Sequence, residues 1–342
     1  MPVSRRLTMP AYAMSLLATL AAAMLVLSGC SAGPKGEDDP RVRVVASTNI
    51  YGQIAEEIGG DRVTVTSIID SGAQDPHAYE STARDQLAVQ RAQLAIENGG
   101  GYDEFFTQLI KAAGNGAADG GPVVITAVDF LPEGFLPEAD AAGDELSEHD
   151  HALNDHDNDH DHELNEHVWF DPATMIGLAR QIAADLGALD PEGAEGFAAN
   201  AATFAADLEG VQAQLAQIAA EHAGEGVFLT EPLAGYLVTA ADLVDLAPEG
   251  FAAAVESGRD VSPATLLASL RVVESGDVRA VLVNGQTAGA ETKRVMDAAT
   301  TAGVPIVAFT ETLPDGSGAD AITTYVDWMS DNVKRLATAL GA

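Results

Sequence analysis

Short apolar runs alternate with longer amphipathic stretches along the chain from residue 41 onward. Short runs rich in Val and Ile predict strands, and the stretches between them, which are apolar every three or four residues, predict helices. Strands are predicted over residues 41–47, 63–69, 94–97, 123–128, 227–230, 252–255, 278–283 and 305–309. Because single helices separate most of these strands, the pattern predicts parallel, doubly wound sheets in an α/β protein.

One long stretch, residues 191–223, has no strand pattern and is rich in Ala, Leu and Gln. It predicts a helix much longer than the typical globular helix of about 11–12 residues, and a connector between two halves is its simplest use. We therefore predict two α/β lobes, residues 41–190 and 224–342, each with a mostly parallel, doubly wound sheet, joined by a long connecting helix over 191–223. The pair Asp171-Pro172 predicts the N-cap and first position of the preceding helix.

The N-terminus has the pattern of an export signal. Arg5-Arg6 precede an uncharged apolar run that ends at Leu27-Ser28-Gly29-Cys30. The run is short for a membrane span, and the tetrapeptide resembles a bacterial lipobox, whose cysteine is acylated. We predict a signal peptide over residues 1–29, lipidation of Cys30 and a tether over 30–40, so that the protein is anchored outside the cytoplasm on the outer face of a bacterial cell membrane. Arg5-Arg6 also fit a twin-arginine signal, and the export route stays open.

The charge balance is strongly acidic, with 17 Lys and Arg against 52 Asp and Glu, a net charge of −35. This balance argues against nucleic-acid binding, because neutralising phosphates requires clustered cationic side chains. An acidic surface draws cations, although a salt-adapted proteome would explain most of the charge equally well. Cys30 is the only cysteine, so stability has to come from the core and not from an intrachain disulfide.

Residues 144–166 form a tract rich in histidine and acidic residues. The tract has no Lys or Arg and no apolar periodicity, and it contains five of the eight histidines of the chain: His149, His151, His156, His160 and His162. We predict a flexible accessory loop that collects metal ions at low affinity and has no fixed structure without metal. A disordered acidic loop with incidental histidines is the alternative.

Four other side chains lie where a pocket is expected, because ligands of an open α/β sheet bind beyond the C-terminal ends of its strands. His77 follows the second predicted strand, and His167 directly precedes the segment that opens the helix at Pro172. Glu231 and Glu311 follow predicted strands of the second lobe. Each residue alone could be a solvated loop side chain or a neighbour of a helix cap. Together, two imidazoles and two carboxylates predict a four-ligand site for a divalent cation.

Several motifs occur in the same order as in one family of transport proteins. They are the tetrapeptide ending at Cys30, Asp75-Pro76-His77-Ala78-Tyr79-Glu80, Asn98-Gly99-Gly100-Gly101-Tyr102-Asp103, the histidine-rich tract, Glu166-His167-Val168-Trp169-Phe170-Asp171-Pro172, Thr230-Glu231-Pro232 with Gly235-Tyr236, and Thr310-Glu311-Thr312. Through these motifs the chain resembles the metal-specific solute-binding lipoproteins of ABC importers, the zinc and manganese uptake group. The resemblance extends over nearly the whole mature chain.

The resemblance implies a chelatase-like fold of the metal-binding class of solute-binding proteins, and binding without enzymatic activity. It implies that His77 and His167 are the ligands from the first lobe, that Glu231 is the third ligand and that Glu311 is the fourth, with Asp315 as the alternative for the fourth. The implied partners are a divalent metal ion, an ABC transporter permease with its ATPase, and the membrane through the N-terminal lipid. A monomer is expected.

The choice of metal depends on the donor set. Two carboxylates suit Mn²⁺, whereas imidazoles and the general order of affinities favour Zn²⁺, which we predict as the bound ion. Rival interpretations are a zinc-dependent hydrolase, which would need an open position for water, and a periplasmic zinc buffer that uses only the histidine-rich tract. A metal-bound imidazole usually donates its second N–H to a partner, and the candidates from sequence are Asp75, Glu80 and Asp171.

Overall fold

Two parallel four-stranded sheets form the framework of the computed structural model, as the alternation of strands and helices predicts. The structure describes residues 39–72, 74, 76–114, 116, 120–135, 164–314 and 322–341. The predictions for the signal peptide, for Cys30, for Asp75, for the five histidines of the tract and for Asp315 concern residues outside this part of the chain. They stay predictions.

The first sheet has the strand order β2-β1-β3-β4, with β1 Val42–Thr48, β2 Val63–Ile69, β3 Leu94–Glu97 and β4 Val123–Thr126. The helices between these strands are α1 Asn49–Gly59, α2 Ala83–Arg91 and α3 Glu104–Ala113. β1 is buried at every position except Arg43, because helices cover both faces of a parallel sheet. All four strands are parallel, so their C-terminal ends lie at one edge.

Two long helices follow the first sheet, α4 Pro172–Leu189 and α5 Ala194–His222. Asp171 caps α4 by accepting a hydrogen bond from the backbone N–H of Thr174 at 2.9 Å, and Pro172 occupies the first helical position. Both observations confirm the helix start predicted from the Asp-Pro pair. The 29 residues of α5 confirm the long helix predicted over residues 191–223.

The second sheet has the strand order β6-β5-β7-β8, with β5 Gly226–Leu229, β6 Val244–Asp245, β7 Val278–Asn284 and β8 Ile306–Phe309. The helices of this half are α6 Gly235–Ala240, α7 Phe251–Glu256, α8 Pro263–Glu274, α9 Ala290–Ala302 and the C-terminal α10 Tyr325–Leu340. Its strands are parallel as well. The two sheets therefore repeat one arrangement.

The prediction of a strand over residues 252–255 is wrong. These residues lie in α7, and the strand next to β5 is the two-residue β6. The run is apolar without a strand period, and its three alanines favour a helix. Gly250, with φ of 75°, precedes the helix in a left-handed conformation that suits glycine. As a result, Glu256 ends a helix and does not follow a strand.

A continuous hydrophobic core connects the two sheets, with contributions from α1, α4, α5, β5 and α10. Tyr325 of α10 ties the end of the chain to the first half. Its backbone N–H donates to Gln53 and its hydroxyl donates to the carbonyl of Trp169, each at 2.7 Å. The described residues from Arg41 onward accordingly belong to one compact unit. Within the described ranges, no helix combines the length and apolar character needed to cross a membrane.

Candidate metal centre

Three of the predicted ligands lie together beyond the strand ends. His77 lies in a 3₁₀ turn, Pro76–Ala78, after β2, and His167 directly precedes a second such turn, Val168–Phe170, which leads into α4. Glu311 follows β8 of the other sheet. The potential ligand atoms of these three residues lie within 4.8 Å of one another. One cation with bonds of about 2.0–2.2 Å could contact all three after small side-chain movements.

Glu231, the fourth predicted ligand, is joined to Glu311 through Asn284. Both carboxylates are buried, with 4% and 3% of their surfaces exposed. The Asn284 amide nitrogen donates to Glu231 Oε2 at 2.8 Å and to Glu311 Oε1 at 2.6 Å, and Thr287 donates to Glu231 Oε1 at 2.7 Å. Among the described residues, the groups of ligand atoms within 4.8 Å include Glu311 but not Glu231. The role of Glu231 as a ligand stays a prediction.

Asn165 fixes the orientation of the His167 ring. Its side-chain oxygen accepts hydrogen bonds from the backbone N–H of His167 at 3.1 Å and from Nδ1 at 2.8 Å. The amide cannot be reversed without loss, because its nitrogen donates to the carbonyl of Pro232 at 3.0 Å. Nδ1 therefore carries the proton, and Nε2 keeps the lone pair that a metal ion would use.

His167 is neutral at physiological pH. Its side chain is only 1% exposed, and burial lowers the pKa of the ring to about 3, with a further lowering from nearby His77. Burial has this effect because a low-dielectric surrounding disfavours the charged imidazolium. No proton has to leave His167 before a metal ion binds.

Asn165 has the supporting role that was predicted for an acidic residue. Asp171 is not the hydrogen-bond partner of His167, because its carboxylate caps α4. Glu80 is exposed, whereas His167 is buried. The Tyr236 hydroxyl donates to the Asn165 carbonyl at 2.5 Å, and a Cβ at Gly235 would come within 2.8 Å of the Asn165 amide nitrogen. Sequence reasoning missed Asn165, whose only signal is its place two residues before a candidate ligand.

Tyr102 contacts two of the candidate ligands, His77 and Glu311, and directly follows a loop of three glycines. Gly99, Gly100 and Gly101 have φ of 77°, 66° and 96°, a conformation that glycine adopts without strain. The Tyr102 hydroxyl donates to Glu311 Oε2 at 3.3 Å, and its ring lies edge-on to the ring of His77, with 5.2 Å between centroids. Burial raises the pKa of Tyr102 well above its usual value, so the hydroxyl stays a donor.

Two further carboxylates, Glu166 and Glu256, face the histidines. Glu166 Oε1 lies 3.3 Å from His77 Nε2, and Glu256 Oε1 lies 3.5 Å from His167 Nε2. Neither residue is a ligand predicted from the sequence: Glu166 belongs to the acidic tract, and the place of Glu256 beside His167 depends on packing between the two halves of the chain. The site thus combines two imidazoles with several carboxylates from both halves of the chain.

Comparison with known proteins places the chain in a family. The profile of the family described as "Zinc-uptake complex component A periplasmic" matches residues 44–339. The chain belongs to this family. The match begins within β1 and ends within α10, so it includes every described residue of the site, which agrees with the resemblance seen in the motifs.

Proteins similar to this chain differ in the metal that their names give. The manganese-binding lipoprotein MntA of Halalkalibacterium halodurans is 30% identical over 188 residues, which are 54% of this chain and 53% of that protein. The chain thus spans about half the length of the curated relatives it matches. Among solved structures, the periplasmic zinc-binding protein TroA from Treponema pallidum matches with a TM-score of 0.66 at 17% identity, over 88% of this chain and 99% of that chain.

A manganese-bound periplasmic metal-binding protein from Candidatus Liberibacter asiaticus has a TM-score of 0.62 at 20% identity, over 88% of this chain and 100% of that chain. At these identities the structural matches establish the fold alone. They confirm the predicted α/β class with two mostly parallel sheets.

Proposed function

We propose that this protein is the substrate-binding component of an ABC importer for a divalent transition-metal ion, and that Zn²⁺ is the ion it captures. The N-terminal lipid on Cys30 would hold it at the outer face of the membrane, where a permease and its ATPase would receive the ion. The family membership supports this proposal, and the relatives named above are described as metal-binding proteins. Their names support binding without catalysis and give the hydrolase alternative no support.

The observation that carries the proposal is the convergence of His77, His167 and Glu311. Their ligand atoms lie within 4.8 Å although the residues are separated by up to 234 positions in the chain. Glu311 and Glu231 bring two buried carboxylates into one region, which is unfavourable without a compensating cation. A divalent ion would neutralise that charge, while the imidazoles supply neutral donors.

Glu231 is the fourth ligand in this proposal. Its carboxylate would exchange the hydrogen bonds from Asn284 and Thr287 for a bond to the ion. Asn284 would keep its bond to Glu311 and so hold that carboxylate in position while Glu231 moves.

The donor set makes Zn²⁺ the preferred ion and Mn²⁺ the alternative. Two imidazoles favour Zn²⁺, and at a given site Zn²⁺ generally binds more tightly than Mn²⁺. Against this, each additional carboxylate oxygen suits the harder Mn²⁺, and Glu166 and Glu256 add two carboxylates at the rim of the site. Competition between the ions decides between these tendencies.

A competition titration of the mature chain tests the proposal. We expect one tightly bound Zn²⁺ per chain, and we expect Zn²⁺ to displace Mn²⁺ when both are present at equal concentration. Deleting residues 149–162 should remove only additional weak ions, and a full-length variant with the five tract histidines changed to asparagine is the matched control. Loss of the tight ion on deletion would favour the zinc-buffer alternative, and retention of Mn²⁺ against equal Zn²⁺ would reverse the assignment of the metal.

A further inference from the structure

A second group of potential ligand atoms lies beside the proposed site. Glu166, His167 and Glu256 offer ligand atoms that lie within 4.8 Å of one another. This group shares only His167 with the group of His77, His167 and Glu311, which we call the inner position. Glu166 also touches His77 Nε2 at 3.3 Å, so the two groups adjoin at both histidines.

The contact between His167 and Glu256 joins two acceptors. Asn165 takes the Nδ1 proton of His167, so Nε2 presents a lone pair. The Glu256 carboxylate oxygen that faces it at 3.5 Å is an acceptor as well. Two acceptors attract each other only through something positive between them. A divalent cation fits, because imidazole nitrogen and carboxylate oxygen are both ligands for it.

The two positions cannot be filled by two ions at the same time. His167 has one free lone pair, at Nε2, and both groups need it. The two positions are therefore alternative locations of a single ion. The carboxylates of the two groups differ in exposure, because the side chains of Glu166 and Glu256 are 18% and 23% exposed whereas Glu311 is 3% exposed. Of the three inner residues, only His77 reaches solvent, with its side chain 32% exposed.

We propose that Glu166, His167 and Glu256 form an outer position, which captures a divalent cation from solvent and passes it to the inner position. His167 stays bound throughout the transfer, while Glu166 and Glu256 are exchanged for His77 and Glu311. The short distance between Glu166 and His77 allows this exchange with small movements. The inference rests on the proposed function and adds the route by which the ion reaches its site.

Stopped-flow mixing of the mature full-length chain with Zn²⁺ alone, and separately with Mn²⁺ alone, tests the outer position. Trp169 is a suitable reporter, because its ring centroid lies 5.1 Å from that of His167. The double variant Glu166→Gln with Glu256→Gln removes both charges while keeping side-chain size. We expect its association rate constant to fall about tenfold and its dissociation rate constant to fall by a similar factor, so that the equilibrium affinity changes little.

Glu225→Gln is the matched control, because Glu225 is 26% exposed and lies 3.2 Å from the Nδ1 of another histidine, His222. It precedes β5, at the opposite edge of the sheet from the site, and its association rate should equal that of the wild type. Glu256→Asp keeps the charge, and its association rate constant should be higher than that of the double variant. This comparison separates a charge effect from a folding defect.

An association rate unchanged in the double variant would overturn the outer position. A faster dissociation with unchanged association would also overturn it, because both carboxylates would then be ligands of the final bound state. Failure of the wild type to bind either ion would instead contradict the proposed function. The two failures are therefore distinguishable in one set of measurements.

Discussion

Replacing His167 by alanine is expected to weaken Zn²⁺ binding by more than the roughly 100-fold that the loss of a ligand's hydrogen-bond partner can cost. His167 is the only residue common to both groups of ligand atoms. Its ring is buried, neutral and held with Nε2 toward the site. No water could replace the nitrogen in the same fixed geometry at equal strength. Competition titration against a chelator of known affinity measures the loss.

His222→Ala is the control for His167→Ala. His222 ends α5 and contacts Glu225, so it is also a partly buried histidine beside a carboxylate, but it lies away from the strand ends that form the site. Its removal should leave Zn²⁺ affinity unchanged. If His167→Ala keeps its far-ultraviolet circular dichroism and still binds within about fivefold of wild type, the assignment of His167 as a ligand fails.

Replacing Asn165 by alanine is expected to weaken Zn²⁺ binding by about 10–100-fold, the usual cost of losing the hydrogen-bond partner of a ligating histidine. The change removes the acceptor that fixes the Nδ1 proton, and it also removes the bond to the Pro232 carbonyl. The His167 ring would then be free to rotate and to exchange its tautomer. The affinity and the circular dichroism of the metal-free variant are the two measurements.

Two variants separate ring orientation from general stability. Asn200→Ala removes another half-buried amide that donates to a backbone carbonyl, that of Ile58 at 2.9 Å, and it should leave affinity unchanged. Asn165→Asp keeps an acceptor for the Nδ1 proton while losing the donor to Pro232, and it should bind more tightly than Asn165→Ala. Equal losses in the aspartate and alanine variants would show that Asn165 acts by holding the two halves together and not by orienting His167.

Most strands could be predicted because they are short apolar runs bounded by clear turns. β1, β3, β5 and β7 are buried along nearly their whole length. β1, β2 and β7 coincide with predicted runs to within one residue at every end. The prediction was wrong at residues 252–255 because an apolar run without a period fits a strand and a helix alike. β6 has exposed residues, Val244 and Asp245, and offers no hydrophobic run to detect.

Site residues could be predicted only where the rule applies that ligands of an open α/β sheet bind beyond the C-terminal ends of its strands. His77, His167 and Glu311 lie beyond strand ends or at a helix start, and the structure brings these three together. Asn165 and Glu256 were missed, because their roles come from packing between the two halves of the chain. The double hydrogen bond from Asn284 to Glu231 and Glu311 was missed as well, because it depends on side-chain positions that no sequence pattern encodes.

The most direct test of the central claim is an anomalous difference map from crystals of the mature chain loaded with one equivalent of Zn²⁺. We expect one peak within bonding distance of the His77 and His167 imidazoles and of a Glu311 carboxylate oxygen, with Zn–N distances of about 2.0–2.1 Å. The same map shows whether Glu231 has turned from Asn284 to complete the set. A single strong peak that contacts neither histidine nor Glu311 would contradict the account.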